Sequence, residues 1–258
     1  MSIKVQNLTF SYGDKETLHN VEFSSEDGDL TAVLGPNGAG KSTFFKCILG
    51  FLKANTGKIL LNGKDMKTLT RAEIAKEIAY IPQSITPTFN YTVLDTVLMG
   101  TTNSLKAFES PSAAQKAHAV EILDSLGIAH LSYRGCGNIS GGERQLVLLA
   151  RALIQNAKIL LMDEPTANLD YGNQYKVMKR ISALAEQGYT VIFSTHDPNQ
   201  ALLHATRIFV LRNGSTVING APEQVLTEAK LSELYGIDIS LKKVKLCDSE
   251  TLVCLPVN

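Results

Sequence analysis

Gly35-Pro36-Asn37-Gly38-Ala39-Gly40-Lys41-Ser42 has the spacing G-x-x-x-x-G-K-S, the pattern of a loop that cradles phosphates. An apolar strand pattern, Thr31–Leu34, precedes it, and a helical pattern from about Lys41 to Leu49 follows. A glycine-rich turn that carried a lysine by chance would not need that context. Glycines let the backbone curl so that successive N–H groups point at the β- and γ-phosphates. The helix N-terminus adds its positive dipole end. In this reading Lys41 brings a point charge to the phosphates and the Ser42 hydroxyl is a Mg²⁺ ligand. Gly35, Pro36, Asn37, Gly38, Ala39, Gly40 and Thr43 complete the nucleotide contacts.

Outward from the loop, apolar runs alternate with helical patterns, which indicates α/β architecture. Ile3–Phe10, Leu18–Ser24 and Leu30–Leu34 read as strands, parted by breaks at Tyr12-Gly13-Asp14 and Glu26-Asp27-Gly28. Lys58–Leu61 reads as a strand before an Asn62-Gly63 turn, and Ile78–Pro82 as a short buried one. From about 84 to 157 the strand signals give way to helical periodicity, with Val93–Met99, Ala113–Leu126 and Gly142–Ile154 each placing apolar residues on one face. Strands return at Lys158–Met162 and Tyr189–Ser194 around a helix at Gln174–Glu186. The tail, from about 221 to 258, follows strands at Arg207–Leu211 and Thr216–Ile218. It holds small helices around Ala221–Tyr235 and a hairpin at Lys242–Leu246 and Thr251–Leu255. No internal repeat or linker divides the chain, so residues 1–258 are expected to form one domain.

Ile159-Leu160-Leu161-Met162 runs into Asp163-Glu164-Pro165. Ligand chemistry in parallel sheets gathers at the carboxyl ends of strands. There Asp163 is placed to hold Mg²⁺ through water and Glu164 to polarise an attacking water. Solvated acids at a strand end are commonplace, but beside a phosphate loop they point to phosphoryl transfer.

Composition bounds the rest. Apolar content of 44% and charged content of 19% suit a folded globular protein. Lys+Arg and Asp+Glu both number 25, which gives none of the basic excess that nucleic-acid binders carry. No run approaches the roughly 18–20 apolar residues of a membrane span, and Met1–Gly13 lacks a secretory h-region. Cys47, Cys136, Cys247 and Cys254 show no C-x-x-C spacing, which argues against a zinc site or disulfide framework and for reduced thiols in the cytosol.

Ile139-Ser140-Gly141-Gly142-Glu143-Arg144-Gln145 precedes a long helix. The Ser140 hydroxyl, the Gly141 and Gly142 N–H groups and the helix N-terminus make a second anion site. The same residues also read as a capping box, with Glu143 three after Ser140. The stretch resembles the signature motif of ATP-binding-cassette proteins. Four further elements match that family in order. Tyr12 stands at the position of an aromatic that stacks on adenine, and Gln83 at that of a glutamine sensing Mg²⁺ and the γ-phosphate. Ala167–Asp170 match the loop that crosses to a partner subunit, and His196 the switch histidine. Ile139 and Glu143 replace the commoner Leu and Gln, and Leu146 stands where Arg is frequent, which puts some contacts of that helix in doubt.

The resemblance implies a P-loop ATPase core with an N-terminal antiparallel β-subdomain and an α-helical insert. It also implies a homodimer in which the signature of one copy closes on the ATP of the other, with Glu164 and His196 catalytic. The segment Phe89–Gly100, His196-Asp197-Pro198-Asn199-Gln200 and Leu234-Tyr235-Gly236-Ile237 resemble the ATPases of iron-siderophore, haem and vitamin B12 importers. Such ATPases lie at the cytoplasmic face of the membrane under integral-membrane permease subunits, served by an extracytoplasmic substrate-binding protein. Molybdate and tungstate importers of similar type, an exporter ATPase, and a soluble cassette protein acting on DNA, ribosomes or cluster assembly are the alternative readings.

Overall fold

The computed structural model describes residues 2–83, 89–105, 109–246 and 249–257. Strands β1 (Ile3–Tyr12) and β2 (Lys15–Ser25) form a hairpin, and β3 (Leu30–Leu34) leads through the glycine loop into α1 (Lys41–Ile48). β4 (Thr56–Leu61), β5 (Lys64–Asp65), α2 (Arg71–Glu77) and β6 (Ile78–Ile81) follow. Then come α3 (Val93–Leu98), α4 (Ala113–Ser125), α5 (Gly141–Leu153) and β7 (Ile159–Met162). After α6 (Tyr171–Glu186), β8 (Thr190–Thr195), α7 (Pro198–His204), β9 (Arg207–Arg212) and β10 (Ser215–Gly220) complete the sheets. The tail is α8 (Pro222–Val225), α9 (Glu228–Tyr235) and the hairpin of β11 (Ile239–Leu246) with β12 (Ser249–Pro256).

An antiparallel sheet in the order β2-β1-β4-β5 stands against a six-stranded sheet ordered β10-β9-β3-β8-β7-β6. In the second sheet β9, β3, β8, β7 and β6 run parallel, and β10 closes one edge antiparallel. Successive side chains of a strand face opposite ways, so each buried parallel strand feeds two cores. Ala32, Leu160, Phe193 and Val210 pack with the helices α3 to α6. Val33, Leu161, Ile192 and Phe209 pack with Phe44, Phe45 and the N-terminal sheet on the other side. That double burial explains why these strands read as continuous apolar runs.

Between Val93 and Leu153 the described residues hold helices and short 3₁₀ turns, joined by one isolated bridge, Thr92 to Gly135. The helical character expected there holds for those residues, while Ser84–Thr88, and with them Ile85, lie outside the described set. Helices α4 and α5 each open on a capping box, Ser112 with Gln115 and Ser140 with Glu143. Two helices were not expected. α2 opens on a Thr70–Glu73 capping box, and α7 follows an Asp197 cap with Pro198 in its first turn. α6 starts three residues earlier than its apolar periodicity suggests, because Asp170 accepts the Asn173 N–H at 2.9 Å and caps it. Among the described residues Cys47, Cys136 and Cys254 are buried free thiols, and burial pushes Cys47 up to about 12. Cys247 lies outside the described residues. No helix among them is long and apolar enough to cross a membrane.

Candidate functional site

The residues between β3 and α1 form the glycine loop. Gly40, at φ 102, occupies the left-handed region that an L-residue enters only under strain. Gly35 is packed so closely that a Cβ would meet the Leu211 carbonyl oxygen of β9. The Ala39 carbonyl accepts the Gly214 N–H at 3.1 Å, tying the loop to the β9–β10 turn. Over the loop lies a cleft of about 830 Å³ whose walls include Tyr12, Asn37, Ser42, Thr43 and Gln83, within the roughly 300–1,000 Å³ of small-molecule sites. Tyr12 stands edge-on to Phe10, with ring centroids 4.8 Å apart, and half of its surface is accessible to a flat ligand.

Lys41 is buried, with 6% of its surface exposed. Its Nζ donates to the Gly35 carbonyl at 2.7 Å and the Pro36 carbonyl at 3.2 Å, and stands 3.5 Å from Glu164 Oε1. Desolvation holds its pKa below the ordinary lysine value, while Glu164 and then Asp163 pull it back up. The ammonium is thus costly to bury, and neighbouring negative charge offsets that cost. Phosphates bring such charge.

Asp163 and Glu164 follow β7 directly, at the carboxyl edge of the parallel sheet. Asp163 is buried and Glu164 turns away from it through a left-handed φ of 43. Two predicted residues converge on Glu164 Oε2: Gln83 Nε2 donates to it at 3.4 Å, and His196 Nδ1 lies 3.4 Å from it. Lys41 holds the other oxygen. One carboxylate therefore gathers the phosphate-loop lysine, the glutamine and the histidine from three separate strand ends.

The signature residues go elsewhere. Ser140 caps α5: its Oγ accepts the Glu143 N–H at 3.3 Å, and the Glu143 carboxylate accepts the Ser140 N–H at 2.7 Å. Those bonds hold Glu143 below the usual carboxylate range. Ser140 and Gly142 line a separate cleft with Asn173, Lys176 and Arg180, and neither they nor Gly141 lines the cleft over the phosphate loop. Ser140 and Gly141 are exposed, so this helix end is open to a second molecule.

Residues that the sequence reading passed over tie the site together. The buried Ser194 on β8 bonds Asp163 and the Glu164 backbone. The Gln200 side-chain carbonyl accepts from both Thr166, at 3.0 Å, and Thr195, at 3.2 Å. Tyr235 donates to the His196 carbonyl at 2.9 Å. Asn199 exchanges two hydrogen bonds with the Cys254 backbone, fastening β12 to α7. Hydroxyls at the polar end of an apolar strand were the available sign for Ser194 and Thr195; the others depend on long-range packing.

A family model described as ABC transporter matches residues 18–167. A Helicobacter pylori protein named for iron chelatin transport is 38% identical, over 91% of this chain and 93% of its own. The hemin import ATP-binding protein HmuV of Shewanella denitrificans is 37% identical, over 92% and 94%. Among solved structures, a chain from an inward-facing transporter assigned to the metal-chelate ABC type superposes with a TM-score of 0.89 at 33% identity, covering all of this chain and 97% of that one. With the phosphate loop, the acidic strand end and the signature helix arranged as described, this chain belongs to the ATP-binding subunits of ABC transporters, the ATPases that drive membrane permeases.

Proposed function

We propose that this chain is the ATPase of an importer for iron-siderophore, haem or a related metal chelate, acting as a homodimer at the cytoplasmic face of the membrane. Its one nucleotide-binding domain spans 1–258, with a helical insert at about 84–157 and a tail from about 221. The observation that carries the reading is the split between two half-sites. Lys41, Gln83 and His196 meet at Glu164 beside the phosphate cleft, while the Ser140 helix end lies on another surface. A head-to-tail pair of copies would bring one half-site to the other, with ATP between them. Tyr12 packs the base, the loop N–H groups and Lys41 bind the phosphates, and Ser140, Gly141 and Gly142 of the facing copy close on them.

The Ser42 hydroxyl, the Gln83 amide oxygen and the Asp163 carboxylate are hard oxygen donors suited to Mg²⁺. Gln83 uses its amide nitrogen on Glu164 and Asp163 one oxygen on Ser194, so each keeps an oxygen for the ion. Bound there, Mg²⁺ neutralises charge on the phosphoryl oxygens. Glu164 orients or deprotonates the attacking water, and His196 stabilises the γ-phosphate.

Import is supported by the named relatives, and a permease contact by exposed aromatics. Phe89 is 66% and Tyr91 47% exposed, and the rings pack edge-on 5.9 Å apart. They are surface residues, whereas Val93 and Val97 fill the core. In this reading the exposed pair Phe89 and Tyr91 receives a short cytoplasmic helix of the permease, and an extracytoplasmic binding protein delivers the chelate to that permease. Phe89→Asp and Tyr91→Asp, made in the assembled transporter in proteoliposomes, should keep folding and ATP binding but uncouple hydrolysis from uptake or prevent assembly. Normal assembly and uptake in both variants would place the docking surface elsewhere.

A further inference from the structure

Ser194 has no exposed surface and lies near the carboxyl end of β8. β7 and β8 last pair at Met162 opposite Phe193, so Asp163 and Ser194 follow side by side where the backbone ladder stops. The Ser194 hydroxyl takes over from the ladder. It donates to Asp163 Oδ1 at 2.7 Å and accepts the Glu164 N–H at 2.9 Å. A hydroxyl has one proton to give and lone pairs to receive, so this arrangement uses it in both senses. Glu164 sits at φ 43, where a residue with a side chain stays only when its surroundings hold it. The hydrogen bond from its N–H to Ser194 is one such hold, and two residues further on the same segment brings His196 to the Glu164 carboxylate.

We propose that Ser194 is a positioning residue for ATP hydrolysis: one buried hydroxyl fixes the Asp163 carboxylate and the Glu164 backbone relative to each other. Asp163 is held with one oxygen engaged by Ser194, which leaves the other oxygen out of that bond. Glu164 is held so that its carboxylate reaches Lys41, Gln83 and His196 together. Ser194 itself touches no substrate. Its effect passes through the two acids, and the inference rests on the reading of Glu164 as the residue that acts on water.

The test compares Ser194→Ala, Ser194→Thr, Glu164→Gln and the Ser194→Ala/Glu164→Gln double variant for kcat, KM for Mg²⁺-ATP and melting temperature. Losing a hydrogen bond that orients a reacting group should lower kcat of Ser194→Ala roughly ten- to a hundredfold, with KM within about threefold of the parent. Ser194→Thr, which keeps the hydroxyl, should recover most of the rate. In the Glu164→Gln background Ser194→Ala should cost less than it does in the parent, because the part of its effect that passes through Glu164 is already lost. A parental kcat in Ser194→Ala overturns the proposal, as do a stably folded threonine variant as slow as alanine and a loss that multiplies with that of Glu164→Gln. If Ser194→Ala does not fold, Ser194→Cys replaces it with the same expected and overturning results. Parental turnover in Glu164→Gln would instead refute the role given to Glu164, a separate failure.

Discussion

Glu164→Gln keeps the length and shape of the side chain and removes one negative charge. That charge stands 3.5 Å from Lys41 Nζ and 3.4 Å from His196 Nδ1, on a side chain only 15% exposed. At 3.5 Å and an effective dielectric of about 20 its attraction for Lys41 is ~5 kcal/mol gross, before the cost of desolvating both groups. Free Lys41 from that partner and its charge is wholly available to phosphates entering the same cleft. The variant also removes a like charge that would repel the γ-phosphate. Both changes favour ATP, so binding should be as tight as in the parent or tighter. Turnover goes the other way. A positioned base is worth about 10²- to 10⁴-fold, or ~3–5 kcal/mol of barrier, and glutamine cannot take a proton from water. ATP-bound dimer should then accumulate. Phosphate release under Mg²⁺-ATP, equilibrium nucleotide binding and size-exclusion chromatography measure the three quantities. A turnover within about threefold of the parent, or ATP binding weakened more than about tenfold, would refute the reasoning (tenfold being ~1.4 kcal/mol).

Lys41→Ala should weaken ATP binding about 10- to 150-fold, from the ~1.5–3 kcal/mol of a hydrogen bond to a charged group, and abolish hydrolysis; near-parental steady-state ATPase activity would contradict the assignment. Because burial already disfavours the ammonium, the same variant should melt close to the parent in calorimetry. Ser140→Arg puts bulk and charge at the α5 N-terminus and removes a cap worth about 1 kcal/mol. The isolated monomer should still bind ATP while dimerisation and turnover fail, and loss of ATP binding by the monomer would mean that Ser140 serves its own cleft.

The local chemistry of the site was legible because it is written in contiguous residues. Strand, glycine loop and helix read directly from Thr31 to Leu49, and the apolar run into Asp163-Glu164 marked the second edge of the cleft. What brings the two together is not local. β3 lies between β9 and β8, and no short window reports that Leu34 neighbours Thr195 in one direction and Val210 in the other. Helices α2 and α7 were missed for a different reason. Each is seven residues long, too short for periodicity to speak, although Thr70-x-x-Glu73 and Asp197-Pro198 are start signals in their own right. The clasp of Asn199 on Cys254 and of Tyr235 on His196 joins segments that sequence order keeps apart. Those contacts place the tail against His196 and α7, where the sequence alone suggested small helices and a terminal hairpin with no stated neighbour.

If Glu164 acts on water as proposed, the division between its two oxygens would order the events at the site. Oε1 faces Lys41, and Oε2 faces Gln83 and His196. A phosphate reaching Lys41 competes with Oε1 alone, because the ammonium is the only cation on that side of the carboxylate among the ion pairs of the described residues. Oε2 has its own two neighbours, Gln83 and His196, so in the proposed mechanism the carboxylate would be released on one oxygen while the other anchors it. The freed oxygen is then an unpartnered acceptor beside the phosphates, which is what a water-orienting base requires. In the mechanism proposed above, substrate binding and base activation would then be coupled through a single ammonium. The coupling works only if the Glu164 backbone does not drift when Lys41 lets go, and that is the constraint the Ser194 hydroxyl supplies.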